Sequence, residues 1–89
     1  MKIVRQVKVK NELGLHIRPA ATIVKILQLS KSTIHFTCNN ETINARSIMS
    51  ILTLVAKKNT KITITVEGDD AKDTMKNLVE AFDVCFGEK

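Results

Sequence analysis

The spacing of apolar residues alternates between two periods along the chain, and the order of these periods limits the folds open to it. Segments in which apolar and polar residues alternate, as in half-buried strands, are residues 2–9, 33–38, 41–45 and 61–67. Segments with apolar residues at helical spacing are residues 17–29, 47–55 and 71–86. The predicted order βαββαβα favours a four-stranded, mainly antiparallel sheet covered on one face by three helices, an α+β open-faced sandwich.

Several local details accompany this prediction. The pair Asn39-Asn40 suits a tight hairpin turn because asparagine tolerates positive φ. Ser47 and Asp70 are predicted helix N-caps, and Gly87 is predicted to stop a last helix whose apolar stripe reaches Phe86. In the second helix, the residues assigned to the core are Ile51, Leu54 and Val55.

Length and composition indicate a small globular domain. The 89 residues are 44% hydrophobic and 26% charged, which is ordinary for one folded unit spanning residues 1–89. No apolar run approaches the roughly 20 residues of a membrane span, and the amino terminus lacks the apolar core of a signal peptide. We therefore expect a cytoplasmic monomer that does not insert into membranes.

The net charge of +5 allows acidic partners, nucleic acid or anionic lipid, without choosing among them. Nucleic acid is disfavoured because the chain has no Tyr or Trp and its three Phe lie at apolar-periodic positions. Cys38 and Cys85 are predicted to be free thiols. His35 and Cys38 point to opposite faces of a strand and cannot share an ion, so no metal or other cofactor is expected.

The segment from Gly14 to Ala21 carries the chemistry of interest. Glycine permits a turn, and Pro19 is tolerated in the first turn of a helix, so His16 lies at a helix amino terminus. Free backbone amides and the helix dipole stabilise an anion there, and neutral imidazole is a nucleophile near physiological pH. Two interpretations stay open at this point: a surface histidine that holds a phosphoryl group, or a capping histidine beside a solvated Arg18.

The second predicted helix is apolar nearly all round. Beside its core stripe it carries a second stripe, formed by Ile48, Met49 and Leu52. Such a helix is either wholly buried or presents an apolar face for docking.

Two runs of residues resemble the HPr family, the histidine-containing phosphocarriers of the bacterial phosphoenolpyruvate-dependent sugar phosphotransferase system. These runs are Gly-Leu-His-x-Arg-Pro-Ala from Gly14 and Asn-Ala-Arg-Ser-Ile-Met from Asn44. They lie about thirty residues apart on a matching βαββαβα order. The resemblance covers essentially the whole chain and implies a carrier, not an enzyme, that takes a phosphoryl group from enzyme I and passes it to IIA components of sugar permeases.

The resemblance also implies roles for individual residues. His16 would be phosphorylated on Nδ1, and Arg18 would pair with the phosphate. Ser47 would be the target of an ATP-dependent HPr kinase, in addition to capping its helix. The expected docking patch beside His16 comprises Ile17, Ala21, Ile48, Met49 and Leu52.

Some positions depart from the usual family pattern. Ile17 is larger than the residue common there, and Ser50, Val55 and Asn59 replace frequent glycines. Asn59 tolerates a left-handed conformation, whereas Val55 adopts it only at a cost. A regulatory module acting through phosphorylated Ser47, without a role in sugar transport, is the alternative function.

Overall fold

The computed structural model describes residues 1–88 and contains one four-stranded sheet. Its strands are β1 (Lys2–Lys8), β2 (Thr33–Cys38), β3 (Glu41–Asn44) and β4 (Lys61–Glu67). Their order across the sheet is β1-β4-β2-β3, and each neighbouring pair is antiparallel. The sheet predicted from the alternating segments is confirmed, and its strand ends differ from the predicted ones by at most one residue.

Three helices complete the structure: α1 (Ile17–Leu27), α2 (Ile48–Thr53) and α3 (Ala71–Asp83). The α+β open-faced sandwich is thereby confirmed. The inward-facing side chains of the central strands are buried, and those of the helices pack onto them; the core includes Ala20, Ile23, Leu27, Ile34, Phe36, Ile51, Ile62, Ile64, Val66, Leu78 and Phe82. Ring edges add to this packing, since Phe36 and Phe82 lie 6.0 Å apart at 70°.

The register explains why the strands share one apolar face. Ile34 and Ile3 both lie opposite Val66, and Phe36 lies opposite Ile64. Because side chains alternate between faces along a strand, these pairings place one row of apolar residues under the helices. The predicted turn Asn39-Asn40 is confirmed, with φ values of 52° and 68°.

The structure corrects the predicted helix ends, and α1 ends at Leu27 instead of at residue 29. Helix α2 ends at Thr53, and Val55 is 68% exposed with φ of 48°, so its assignment to the core was wrong. Helix α3 ends at Asp83, and Phe86 belongs to a following left-handed turn at φ of 54°. In both places a non-glycine residue takes a left-handed conformation, which apolar periodicity does not reveal.

The Asp70 carboxylate also differs from its predicted role, because it does not cap its own helix. It accepts hydrogen bonds from the Lys31 amide at 2.8 Å and from the hydroxyls of Ser30 and Ser32. These bonds lower the pKa of Asp70 to about 2, with the largest contribution from Ser32. Asp70 thus fixes the loop that follows α1.

Arg46 binds the same region from the other side. Its guanidinium donates to the carbonyl oxygens of Leu27, Ser30 and Ser32 at 2.7–2.8 Å. The carboxyl end of α1 therefore receives donors from a residue far along the chain. The loop between α1 and β2 is held by an acid and a base that both come from distant turns.

Two kinds of feature are absent from residues 1–88. No helix in this part of the chain is long and apolar enough to cross a membrane. Nor does this part contain a group of three or more His, Cys, Asp or Glu side chains that could hold a metal ion. Cys38 and Cys85 are both free thiols, as predicted, and burial raises the pKa of Cys38.

Candidate functional site

The turn at Gly14 places His16 at the start of α1. Gly14 has φ of 70°, and a Cβ at this position would lie 2.3 Å from the carbonyl oxygen of Ala56. The next residue, Leu15, is buried and donates its amide to that same oxygen at 2.9 Å. Only glycine meets both requirements, positive φ and close backbone approach. The segment before His16 is thereby fixed to the segment that follows α2.

The amino terminus of α1 has no side-chain cap. His16 is the N-cap residue, with extended backbone angles of −88° and −167°, and its ring does not bond the helix. Pro19 has no amide hydrogen, and the amides of Ile17 and Arg18 donate to no acceptor within residues 1–88. Two free donors and the positive end of the helix dipole therefore remain available for an anion.

The two nitrogens of the His16 ring have different surroundings. Nε2 lies 3.2 Å from both carboxylate oxygens of Glu88, whereas Nδ1 has no hydrogen-bond partner in the described part of the chain. One third of the His16 side chain is exposed, which is less than the surface position expected from the sequence. The ring is partly accessible and is held through Nε2.

Arg18 extends into solvent from the first turn of α1. Its carbonyl oxygen accepts a hydrogen bond from the Thr22 hydroxyl at 3.2 Å, and its charge contributes to lowering the pKa of Glu88. Its guanidinium donates to no acceptor within residues 1–88. The arginine therefore lies within electrostatic reach of the His16–Glu88 pair, with its planar donor fork unused. Such a fork matches the oxygens of a phosphoryl group.

The predicted apolar patch is present, although its members differ in exposure. Ile17 is 67% exposed and Met49 is 72% exposed, and Ala21 is also exposed. Ile48 and Leu52 are half-buried because they pack partly against the core, so they offer less surface than predicted. Helices α1 and α2 pack against each other, which brings the two groups of residues together.

Two exposed apolar residues near His16 were not predicted to belong to the apolar patch. Leu13 is 78% exposed, and Val55 is 68% exposed. Both line an open depression of about 340 Å³ that reaches His16 and Leu52. A leucine within the polar run Asn-Glu-Leu-Gly was the available signal for Leu13. For Val55 the signal was its place at a position where the resembled family often has glycine.

Ser47 caps α2, as predicted. Its hydroxyl oxygen accepts a hydrogen bond from the Ser50 amide at 3.2 Å, and its own backbone is extended. Ser47 is half-buried, and it precedes Ile48 and Met49 of the apolar patch. A charge added to this hydroxyl would stand at the edge of that patch.

Comparisons with known proteins all point to one family. A family model described as "PTS HPr component phosphorylation site" matches residues 3–83. A phosphocarrier protein HPr from Chlamydia muridarum is 44% identical over 80 residues, covering 90% of this chain and 77% of the relative.

Solved structures add to this similarity. HPr-C-His from Thermoanaerobacter tengcongensis, at 34% identity, covers 98% of both chains with a TM-score of 0.93. An HPr dimer from the same organism, at 36% identity, covers 92% of this chain and 94% of that chain with a TM-score of 0.78. The match therefore extends over sequence and fold alike, and the chain belongs to the HPr family of phosphocarrier proteins of the phosphotransferase system.

Proposed function

We propose that this chain carries a phosphoryl group on Nδ1 of His16, taking it from enzyme I and passing it to IIA components of sugar permeases in the cytoplasm. Membership of the HPr family supports the carrier role. The observation that carries the residue assignment is the uncapped start of α1, where His16 keeps Nδ1 without a partner in residues 1–88 beside two free amides.

The chemistry of loading follows from these groups. The Nδ1 lone pair of neutral His16 attacks the phosphorus of the donor, and an N–P bond forms as the donor's bond to phosphorus breaks. The donor keeps the electron pair of the broken bond. Positioning and charge stabilisation dominate such a transfer, and the amides of Ile17 and Arg18 with the Arg18 guanidinium supply both. The chain is thus a reactant that is loaded and unloaded in each cycle, not an enzyme.

The apolar patch of Ile17, Ala21, Ile48, Met49 and Leu52 is the proposed docking surface for both partners. Leu13 and Val55 extend it, because they line the depression that His16 and Leu52 also line. A patch of this size gives modest affinity, which suits a carrier that must leave each partner. The net charge of +5, together with exposed Arg18 and Lys25, steers acidic partners. We expect the chain to act as a monomer because both partners use the same surface.

Phosphorylation of Ser47 is the proposed regulatory step. A phosphate at this position adds about −1.5 to −2 charge beside Ile48 and Met49. It would repel an acidic partner while its oxygens replace the hydroxyl as acceptor for the Ser50 amide. An HPr kinase is the expected modifying enzyme. The fold would remain intact, so the effect would be confined to docking.

Two phosphoryl donors, applied in turn, test these assignments. Phosphoenolpyruvate with enzyme I should add one acid-labile phosphoryl group to the parent and to Ser47→Ala, and none to His16→Ala. ATP with HPr kinase should label the parent and His16→Ala, but not Ser47→Ala. Equal labelling of His16→Ala and the parent by enzyme I would refute the carrier assignment. Labelling by the kinase alone would favour the regulatory module instead.

A further inference from the structure

The carboxyl-terminal residues make a contact with His16 that the family match does not cover. The family model matches residues 3–83, whereas Glu88 lies beyond that segment. Its two carboxylate oxygens each lie 3.2 Å from His16 Nε2, and its side chain is only 17% exposed. A carboxylate this close to one ring nitrogen influences which of the two nitrogens carries the hydrogen.

Asn11 fixes the position of this carboxylate. The Asn11 side-chain nitrogen donates to Glu88 Oε1 at 2.6 Å and to the carbonyl oxygen of Cys85 at 2.9 Å. Both partners are acceptors, so the orientation of the Asn11 amide is unambiguous. Asn11 is 2% exposed, and its bonds link the loop before α1 to the end of the chain. Glu88 is therefore held from two sides, by Asn11 and by His16.

The backbone that delivers Glu88 is strained. Cys85 and Phe86 each have φ of 54°, and Gly87 follows at 82°, so three successive residues are left-handed. Glycine suits position 87 because of its positive φ and not because of crowding, since a Cβ there would meet no atom within 4 Å. Non-glycine residues hold this conformation only when their surroundings impose it, and such strain concentrates at functional sites.

Packing and hydrogen bonds impose the turn. The ring of Phe86 lies against that of Phe82 at 4.8 Å and 67°, within the observed range for edge-on aromatic pairs. The amide of Gly87 donates to Val84 at 3.0 Å, and the amide of Glu88 donates to Cys85 at 2.9 Å. Packing against α3 and these hydrogen bonds thus hold the turn, and the turn places Glu88 against His16.

We propose that Glu88 is a positioning residue for phosphoryl transfer, its carboxylate accepting the Nε2 hydrogen of His16 so that the lone pair of the neutral ring resides on Nδ1. This inference rests on the proposed function of His16. When Nδ1 attacks phosphorus, the ring gains a positive charge, and the Glu88 carboxylate balances it. The Nε2 hydrogen stays on the ring, and no further reactant is needed.

The ionisation of Glu88 is consistent with this role. A hydrogen bond from Asn11 is the largest influence and lowers the pKa of Glu88; burial opposes it, and the hydrogen bond and charge of His16 and the charge of Arg18 lower the pKa further. Glu88 is therefore a carboxylate near neutral pH, and an acceptor only.

Nitrogen NMR of the His16 ring, at a pH where the ring is neutral, tests the contact directly. In the parent the hydrogen should reside on Nε2. Glu88→Ala should show a new population with the hydrogen on Nδ1, whereas Glu88→Gln should keep the parent tautomer through its amide oxygen. Because this readout needs no enzyme I, it remains valid even if the carrier assignment fails.

Phosphoryl transfer from enzyme I provides the functional readout. We expect kcat to fall about 10-fold in Glu88→Ala, the lower end of the range for losing a histidine's orienting partner, with KM for the chain unchanged. Glu88→Gln should recover part of this loss, since it restores the hydrogen bond without the charge. Glu41→Ala, at the distant β2–β3 hairpin, is the matched control and should equal the parent.

Two outcomes would overturn the inference. One is a Glu88→Ala variant with the parent tautomer and the parent kcat. The other is a rise in KM at unchanged kcat, which would assign Glu88 to docking. Thermal unfolding of each variant ensures that folded proteins are compared. Failure of the carrier assignment has a different signature, because then the parent itself would remain unlabelled at His16.

Discussion

The amino termini of α1 and α2 both have free backbone amides and the positive end of a helix dipole, but only α2 has a side-chain cap. At α2, the hydroxyl of Ser47 accepts the Ser50 amide, as in an ordinary capped helix. At α1, the N-cap residue is His16, its ring bonds Glu88 and not the helix, and the amides of Ile17 and Arg18 have no acceptor within residues 1–88. One helix end is stabilised by its own side chain, and the other is left open.

The difference between the two helix ends matters for the proposed phosphoryl group. A cap of about 1 kcal/mol is absent where the phosphoryl group is proposed to sit, so the free amides can bind it without first losing a partner. At α2 the capping hydroxyl is itself the proposed modification site, so its phosphate would replace an existing bond. The open end suits repeated loading, whereas the capped end suits a change imposed by a separate kinase.

The largest expected effect concerns Arg18 at the open helix end. Arg18→Ala should reduce single-turnover transfer from phosphorylated enzyme I about 100-fold, the loss typical of removing one group that stabilises transition-state charge. Lys25→Ala removes an exposed cation of the same helix that only steers the encounter, and it should lower the rate about threefold at most. Equal losses in the two variants would mean that the overall charge of α1 matters and the position of Arg18 does not.

The amino terminus of α3 differs from both of these helix ends. Its N-cap residue, Asp70, binds the loop after α1 instead of capping α3. The pKa of Asp70 is about 2, below its ordinary 3.8. A lowered pKa stabilises the folded state above the ordinary value, and this contribution is lost as pH falls from about 5 towards 2. We expect the effect to exceed that of one cap bond because three donors share the charge.

Urea unfolding at a series of pH values measures this contribution. Asp70→Asn should be less stable than the parent at neutral pH, and the difference should shrink as pH approaches 2. Asp69→Asn, at the neighbouring exposed position, should follow the parent curve throughout. A constant difference between Asp70→Asn and the parent across this pH range would contradict the role of the Asp70 charge.

The smallest expected effects come from changing the N-cap residues of α1 and α2, and they are changes in the free energy of unfolding. Ser47→Ala should lower the free energy of unfolding by about 1 kcal/mol through loss of the cap. His16→Ser should raise it by about 0.5 kcal/mol, because a serine hydroxyl can accept the Arg18 amide that now lacks a partner in residues 1–88. Chemical denaturation of both variants checks the two signs. A destabilised His16→Ser would show that the Glu88 contact contributes more than the missing cap.

Apolar periodicity determined the element order and most of the core, because alternation along strands and helical spacing are local properties. The helix start at His16 was equally local, since Gly14 and Pro19 mark it within a few residues. Apolar periodicity did not predict the helix ends where a residue adopts a backbone conformation that its type disfavours. Val55 and Phe86 are left-handed although neither favours it, so α2 and α3 end earlier than their apolar stripes suggest.

Contacts between distant parts of the chain were decided only by the tertiary structure. Arg46 reaches the end of α1, Asp70 reaches the loop at Ser32, and Glu88 reaches His16 across 72 positions of sequence. A charged residue carries no local mark of the partner it will meet, because that partner is chosen by how the helices pack on the sheet. The sequence by itself therefore predicted His16 as the nucleophile, and only the fold revealed the carboxylate that lies against its ring.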